Sequence, residues 1–118
     1  MKRLPRVHET CMTEIPRVRR ETVTLLPESQ VKAMTMIAKA LHDPIRVQIV
    51  YLLSQHRDLC TCEFEAVLEL PQSKVSYHLK QLLDAGVVKR EIHGSWSHYS
   101  LLHADVLTQI ERFIPVTV

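Results

Sequence analysis

From residue 28 onward, apolar residues recur at helical spacing along most of the chain. Val31, Met34, Ile37, Ala38 and Leu41 predict a first helix. Asp43-Pro44 follows, a helix start in which aspartate caps and proline occupies the first turn. Ile45, Ile49, Leu52 and Leu53 then give a second apolar stripe running to about Gln55. After a polar break, Asp58 or Thr61 is expected to cap a short third helix, with Phe64, Val67 and Leu68 inward and Glu63 and Glu65 favouring its first turn. Leu70-Pro71 ends it. A fourth helix begins near Gln72 or Ser73, buries Val75, Leu79, Leu82 and Leu83, and stops at Gly86. The period then changes to that of strands. Val87, Val88 and Ile92, a turn at His93-Gly94, and Trp96, Tyr99 and Leu101 predict a hairpin. Val106, Ile110, Phe113 and Ile114 predict a last helix before Pro115.

The chain thus divides into an arm over 1–27, broken by Pro5, Pro16 and Pro27, a folded body over 28–114, and a tail over 115–118. The fold expected is mainly α with a β-hairpin wing. The third and fourth helices, joined by a tight turn, form a helix-turn-helix whose second member suits the major groove of DNA. Its polar face carries Gln72, Ser73, Lys74, Ser76, Tyr77 and Lys80, which supply donors for base edges and charge for phosphates. The hairpin adds Lys89, Arg90, His93 and Ser95 beside the path of the DNA backbone. His78 stands one residue before the buried Leu79 and is expected to orient the helix rather than to read a base.

Composition changes this picture little. With 46% hydrophobic and 24% charged residues in 118, the chain can bury a core and is not of the disordered class. The net charge of +2 is uninformative, but Lys2, Arg3, Arg6, Arg17, Arg19 and Arg20 make the arm basic against Glu9 and Glu14. No apolar run spans a bilayer and no secretory signal is visible, so a cytoplasmic location without membrane attachment is expected. Only Gly86 and Gly94 are glycines, and no phosphate loop, nucleophile elbow or zinc-protease motif is present, so catalysis is not expected. Cys11, Cys60 and Cys62 are odd in number, which suits free thiols or metal ligands better than a disulfide framework.

Four segments carry a resemblance. They are Ala40-Leu41-His42-Asp43-Pro44-Ile45-Arg46, Leu59-Cys60-Thr61-Cys62-Glu63-Phe64, Gln72 through Lys80, and Gly94 through Leu101. In this order they resemble the ArsR/SmtB family of metal-sensing repressors, over about residues 30 to 112. The resemblance implies a homodimeric winged helix-turn-helix that binds double-stranded operator DNA and releases it when metal binds. It places the first and last helices at the dimer interface, which makes Val31, Met34, Val106, Ile110 and Phe113 the interface residues.

For the metal site the resemblance implies Cys60 and Cys62. The arsenic-sensing relatives have a third cysteine three residues beyond the pair, where this chain has Glu65. The cadmium- and lead-sensing relatives add cysteine from the arm of the other subunit, where this chain has Cys11. A three-thiolate site of Cys60, Cys62 and Cys11 suits As(III) or Sb(III) first and Cd(II) or Pb(II) second. His8 is a further nitrogen donor on the arm. Within a regular helix, residues i and i+2 point apart. A shared ion is therefore expected to reset the helix start, where the helix dipole favours thiolate. A second family site, in the last helix, starts at His103 and Asp105 but lacks its later ligands, so no zinc regulation is expected there. A thiol redox sensor on the same scaffold fits the same cysteines.

Overall fold

The computed structural model describes residues 23–105 together with Thr108 and Arg112. In chain order the elements are α1 (Glu28–Ala40), α2 (Pro44–Gln55), β1 (Leu59–Cys60), α3 (Thr61–Leu68), α4 (Gln72–Asp84), β2 (Val88–His93) and β3 (Trp96–Leu101). Cys11 and His8, and Val106, Ile110 and Phe113 of the last helix expected from the sequence, lie outside the described residues.

Asp43 forms α2 as its sequence suggests. Its backbone is extended, and its Oδ1 accepts from the N–H groups of Ile45 at 2.8 Å and Arg46 at 3.2 Å. Two side chains also approach the same carboxylate, the Arg46 guanidinium at 3.9 Å and His78 Nδ1 at 4.0 Å. Burial opposes ionisation of Asp43. The two backbone donors, with His78 and Arg46, outweigh it and hold the carboxyl below its ordinary range. His78 is buried on α4 and its Nδ1 faces this cap, but at 4.0 Å it makes no hydrogen bond to Asp43, so the expected orienting hydrogen bond is not formed.

Helix α4 buries Val75, His78, Leu79 and Leu82, an i, i+3, i+4, i+7 stripe, while Leu83 is only partly buried. Its end is set by Gly86 at φ +78°. Val87 N–H reaches Leu82 O at 2.9 Å and Gly86 N–H reaches Leu83 O at 3.1 Å, which satisfies the last carbonyls. The turn from α3 to α4 closes by a similar device, with Leu70 N–H on Glu65 O at 3.3 Å. Here the left-handed position, φ 55°, is held by Glu69 rather than glycine.

The hairpin has a two-residue turn, Gly94-Ser95, with His93 paired to Trp96. The turn lies one residue later than the pattern suggested. Gly94 has φ +65° and Ser95 does not, which is the type II′ arrangement. The sequence did not reveal β1. It pairs antiparallel with β3, Leu59 to Tyr99 and Cys60 to His98, so the sheet order is β1-β3-β2. Val88, Tyr99 and Leu101 face the core, which centres on Phe64, Ile49, Leu79, Leu82, Val50 and Val75.

Two measurements check these local assignments. Asp43→Ala is expected to lower unfolding free energy by about 1 kcal/mol in urea titration at neutral pH. Asp43→Asn, which still caps, keeps most of it. Because the folded carboxyl ionises more easily than the unfolded one, its stabilisation is present above the unfolded pKa, about 4, and is lost as pH falls through the folded value. The Asn variant therefore loses less stability on acidification than wild type does. Glu69→Gly relieves a left-handed side chain costing about 1–2 kcal/mol, partly offset by glycine's entropy, for a net gain of up to about 1 kcal/mol.

Candidate functional site

On α4, Gln72, Ser73, Lys74, Ser76, Tyr77 and Lys80 are all exposed, while Val75, His78, Leu79 and Leu82 are buried. Tyr77 is 58% exposed and meets His78 edge-on, with ring centroids 5.3 Å apart. The structure thus separates the adjacent pair: Tyr77 faces outward and His78 points inward to Asp43. Lys80 Nζ lies 3.1 Å from Asp84 Oδ2 across one helical turn. Both groups are largely exposed, so this pair is weak and a phosphate competes with it readily. Pro71 precedes the helix without a side-chain cap, which leaves its first amides open at the same end as Gln72 and Ser73.

Lys89, Arg90, His93 and Ser95 are exposed on the hairpin. Alternation divides them. Arg90 shares the core-side face with Val88 and Ile92, whereas Lys89, Glu91 and His93 share the outer face with Trp96 and His98. His93 Nε2 is 3.4 Å from Glu91 Oε1, so an acidic side chain stands among the wing's donors. Ile92 and Trp96 were read as ordinary strand apolar positions. They stand 65% and 59% exposed at the hairpin tip. The signal that distinguishes them is their distance from the helices: only the strand base, at Val88, Tyr99 and Leu101, lies over the core.

The two described cysteines meet at the start of α3. Cys60 is its N-cap, with extended backbone (φ −89°, ψ 164°), in place of the expected Asp58 or Thr61. Strand β1 explains the choice, because ladder pairing holds the chain extended as far as Cys60. Glu63 completes a capping box by accepting from Cys60 N–H at 2.8 Å, while the Cys60 sulfur stands opposite the Glu63 N–H. Sulfur is a weak acceptor, so the carboxylate half carries most of this cap.

Cys60 is buried and Cys62 is exposed. The Cys62 thiol is pushed up from its ordinary pKa, first by its hydrogen bond with Cys60. Desolvation and the charges of Cys60 and Glu63 act in the same direction, and a backbone hydrogen bond acts against them. The backbone hydrogen bond at the helix start favours the Cys62 thiolate, and the neighbouring thiol and carboxylate outweigh it. Cys60 lies outside the helix, so the geometry of a regular helix does not hold its side chain opposite that of Cys62.

Among the described residues, no three His, Cys, Asp or Glu side chains are arranged to hold a metal ion. The pair therefore needs a donor from elsewhere to make a three-coordinate site. His103 and Asp105 are exposed beyond β3, and the later positions of that second site lie outside the described residues.

Residues 43–90 match the bacterial regulatory protein family named arsR. The chain is 46% identical over 68 residues to the arsenical resistance operon repressor of Bacillus subtilis, covering 58% of this chain and 65% of that protein. It is 34% identical over 76 residues to a cadmium resistance transcriptional regulatory protein homologue of Staphylococcus aureus, covering 64% and 63%. It is 30% identical over 81 residues to an arsenic resistance transcriptional regulator of Pseudomonas putida, covering 69% and 70%. The match thus spans somewhat less than two thirds of the first two of these relatives.

Among solved structures, HlyU of Vibrio cholerae superposes with a TM-score of 0.65 at 29% identity, over 74% of this chain and 94% of that one. A homodimeric winged helix-turn-helix domain of Mycobacterium bovis gives 0.66 at 19% identity, over 88% and 94%, a likeness of fold. The matched family is one of bacterial regulatory proteins, and the relatives above are named as repressors or regulators of transcription, not as enzymes. From its helix-turn-helix segment to the folded frame around it, this chain belongs to the ArsR family of winged helix-turn-helix regulatory proteins.

Proposed function

We propose that the protein is a dimeric repressor that holds operator DNA through α4 and the wing, and releases it when a thiophilic metalloid or metal binds its cysteines. The observation that carries this reading is the placing of Cys60 as the N-cap and Cys62 in the first turn of α3, the short helix that leads through one turn into the exposed polar face of α4. The arsenical and cadmium resistance named for the relatives supports the same class of inducer. Cys11 from the second protomer supplies the third sulfur. Three sulfurs suit As(III) or Sb(III) first, and Cd(II) or Pb(II) second.

The second protomer seats on α1. Val31 (44% exposed), Met34 (60%) and Met36 (44%) lie on a helix that buries only Ala40 fully in its own chain. Val106, Ile110 and Phe113 extend this interface in our reading. On DNA, Gln72, Ser73 and Ser76 meet base edges. Lys74, Lys80, Lys89 and Arg90 meet phosphates, with Tyr77, His93 and Ser95 alongside. Among the described residues no helix is long and apolar enough to cross a membrane. The proposed place of action is the cytoplasm.

The test is DNA release from a duplex selected out of random-sequence DNA, using reduced protein and arsenite, Sb(III), Cd(II), Pb(II) or Zn(II). Cys60→Ser and Cys62→Ser are expected to bind DNA but lose a response on the order of 100-fold in affinity. Serine is a better N-cap than cysteine, so Cys60→Ser keeps the helix start. Cys11→Ser weakens the response or changes the order of ions. A Cys60→Ser protein that responds like wild type refutes the site. Release by oxidant alone, with no metal response, transfers the function to thiol redox sensing.

The reluctant Cys62 thiol gives a second test. Cd(II) must displace thiol protons, so its apparent affinity, followed by sulfur-to-metal absorption, rises between pH 6 and pH 8. Arsenite arrives as neutral As(OH)3 and returns those protons as water, so its affinity stays nearly flat over the same range.

A further inference from the structure

We infer that His98, on the central strand of the wing sheet, couples the thiol pair to the DNA-facing hairpin as a positioning residue. This rests on the thiol-gated reading above and adds to it a second output, separate from the α3-to-α4 turn.

Strand β3 pairs with β1 on one side and β2 on the other, and Cys60 stands directly across from His98. Cys60 therefore belongs both to the cap of α3 and to the sheet that bears the wing. On the sheet face away from the core, four side chains form a row. His98 Nδ1 lies 3.7 Å from Asp58 Oδ1, two residues before Cys60. The His98 ring stacks on His93, with centroids 4.6 Å apart and planes 28° from parallel. His93 Nε2 in turn lies 3.4 Å from Glu91 Oε1. The row runs from the segment leading into the thiols to the residue preceding the hairpin turn, and His93 is one of the groups assigned to DNA.

The row is poised rather than locked. His98 Nδ1 is shielded from solvent and has no hydrogen-bond partner, and its distance to Asp58 exceeds hydrogen-bonding range. A buried polar atom without a partner is costly, so a small movement of β1 toward or away from β3 changes its energy appreciably. Strand β1 has only two residues and yields easily. A ligand drawing Cys60 and Cys62 around one ion fixes the backbone of Cys60, and β1 moves with it. His98 then shifts against Asp58, the stack with His93 tilts, and the tip reaches DNA in another attitude.

The chain has one tryptophan, Trp96, on β3 and on the same face as His98. It is 59% exposed, so its emission reports on the wing directly. In full-length wild type without DNA, arsenite or Cd(II) is expected to change that emission. His98→Phe keeps a ring for the stack but loses the Asp58 contact, and His98→Gln keeps a polar group but loses the ring. Both are expected to bind DNA within about threefold of wild type and to give unchanged sulfur-to-metal absorption, yet to lose at least about tenfold of the arsenite-driven drop in DNA affinity. Asp58→Asn behaves in the same way. The Trp96 response disappears in each variant while the absorption persists.

A merely structural role would lower DNA binding and stability together, without separating ion binding from release. The proposal is overturned if both His98 variants release DNA with arsenite as wild type does. It also falls if Trp96 emission stays constant in a wild type that does release. A wild type that takes up none of the ions refutes instead the sensing reading beneath it, and the absorption arm identifies that case.

Discussion

Burial of Phe64 is the constraint on which the site depends. Helix α3 has eight residues, too few to persist in water on propensity alone. What holds it is one fully buried aromatic ring lodged in the same core as Val75 and Leu79 of α4 and Tyr99 of β3. With that ring fixed, both ends of α3 are fixed. One end begins at the thiol of Cys60, and the other runs through the left-handed Glu69 into α4. Two chemically unlike surfaces, a pair of sulfurs and a polar groove-sized helix face, are thereby held about one short helix apart. On the proposed reading, a ligand that disturbs the first acts on the packing of the second.

The charge distribution follows the same economy. The described surface that would face a nucleic acid is not uniformly basic, since Lys80 has Asp84 and His93 has Glu91 as neighbours. Such pairs keep the positive groups from acting as an indiscriminate polyanion trap, and they exchange partners cheaply because they are exposed. Asp43 is different in kind. It caps α2, pairs with Arg46 and is faced by the buried His78 of α4.

Much of this was legible in the sequence because helices announce themselves at both ends. Asp43-Pro44 and Gly86 marked boundaries that the structure places within a residue, and the stripes between them gave the buried faces. The hairpin was also legible from its change of period. What escaped was set by tertiary contact. Leu59-Cys60 is too short to show alternation, and it is a strand only because β3 lies beside it. For the same reason the cap fell to Cys60, although Asp58 and Thr61 are better capping residues by type. Ile92 has the face of a core residue but stands beyond the reach of any helix. Glu69 occupies a backbone region where glycine is the usual choice, and no side-chain pattern discloses that. At the site, the sequence marked both cysteines but not their neighbourhood: the thiol–thiol contact depends on Cys60 lying outside the helix.

That placement has a consequence for how such a detector changes over evolutionary time. A sulfur atom occupies the position at which most helices begin with oxygen, so on the proposed reading an ion that binds there acts at the helix start itself. The identity of the captor is decided elsewhere, by whichever extra donors the remaining chain brings alongside. Input and output are thus specified by different residues. On that reading, new toxicants would come within range through changes confined to the donors, while the machinery that answers them would be left untouched.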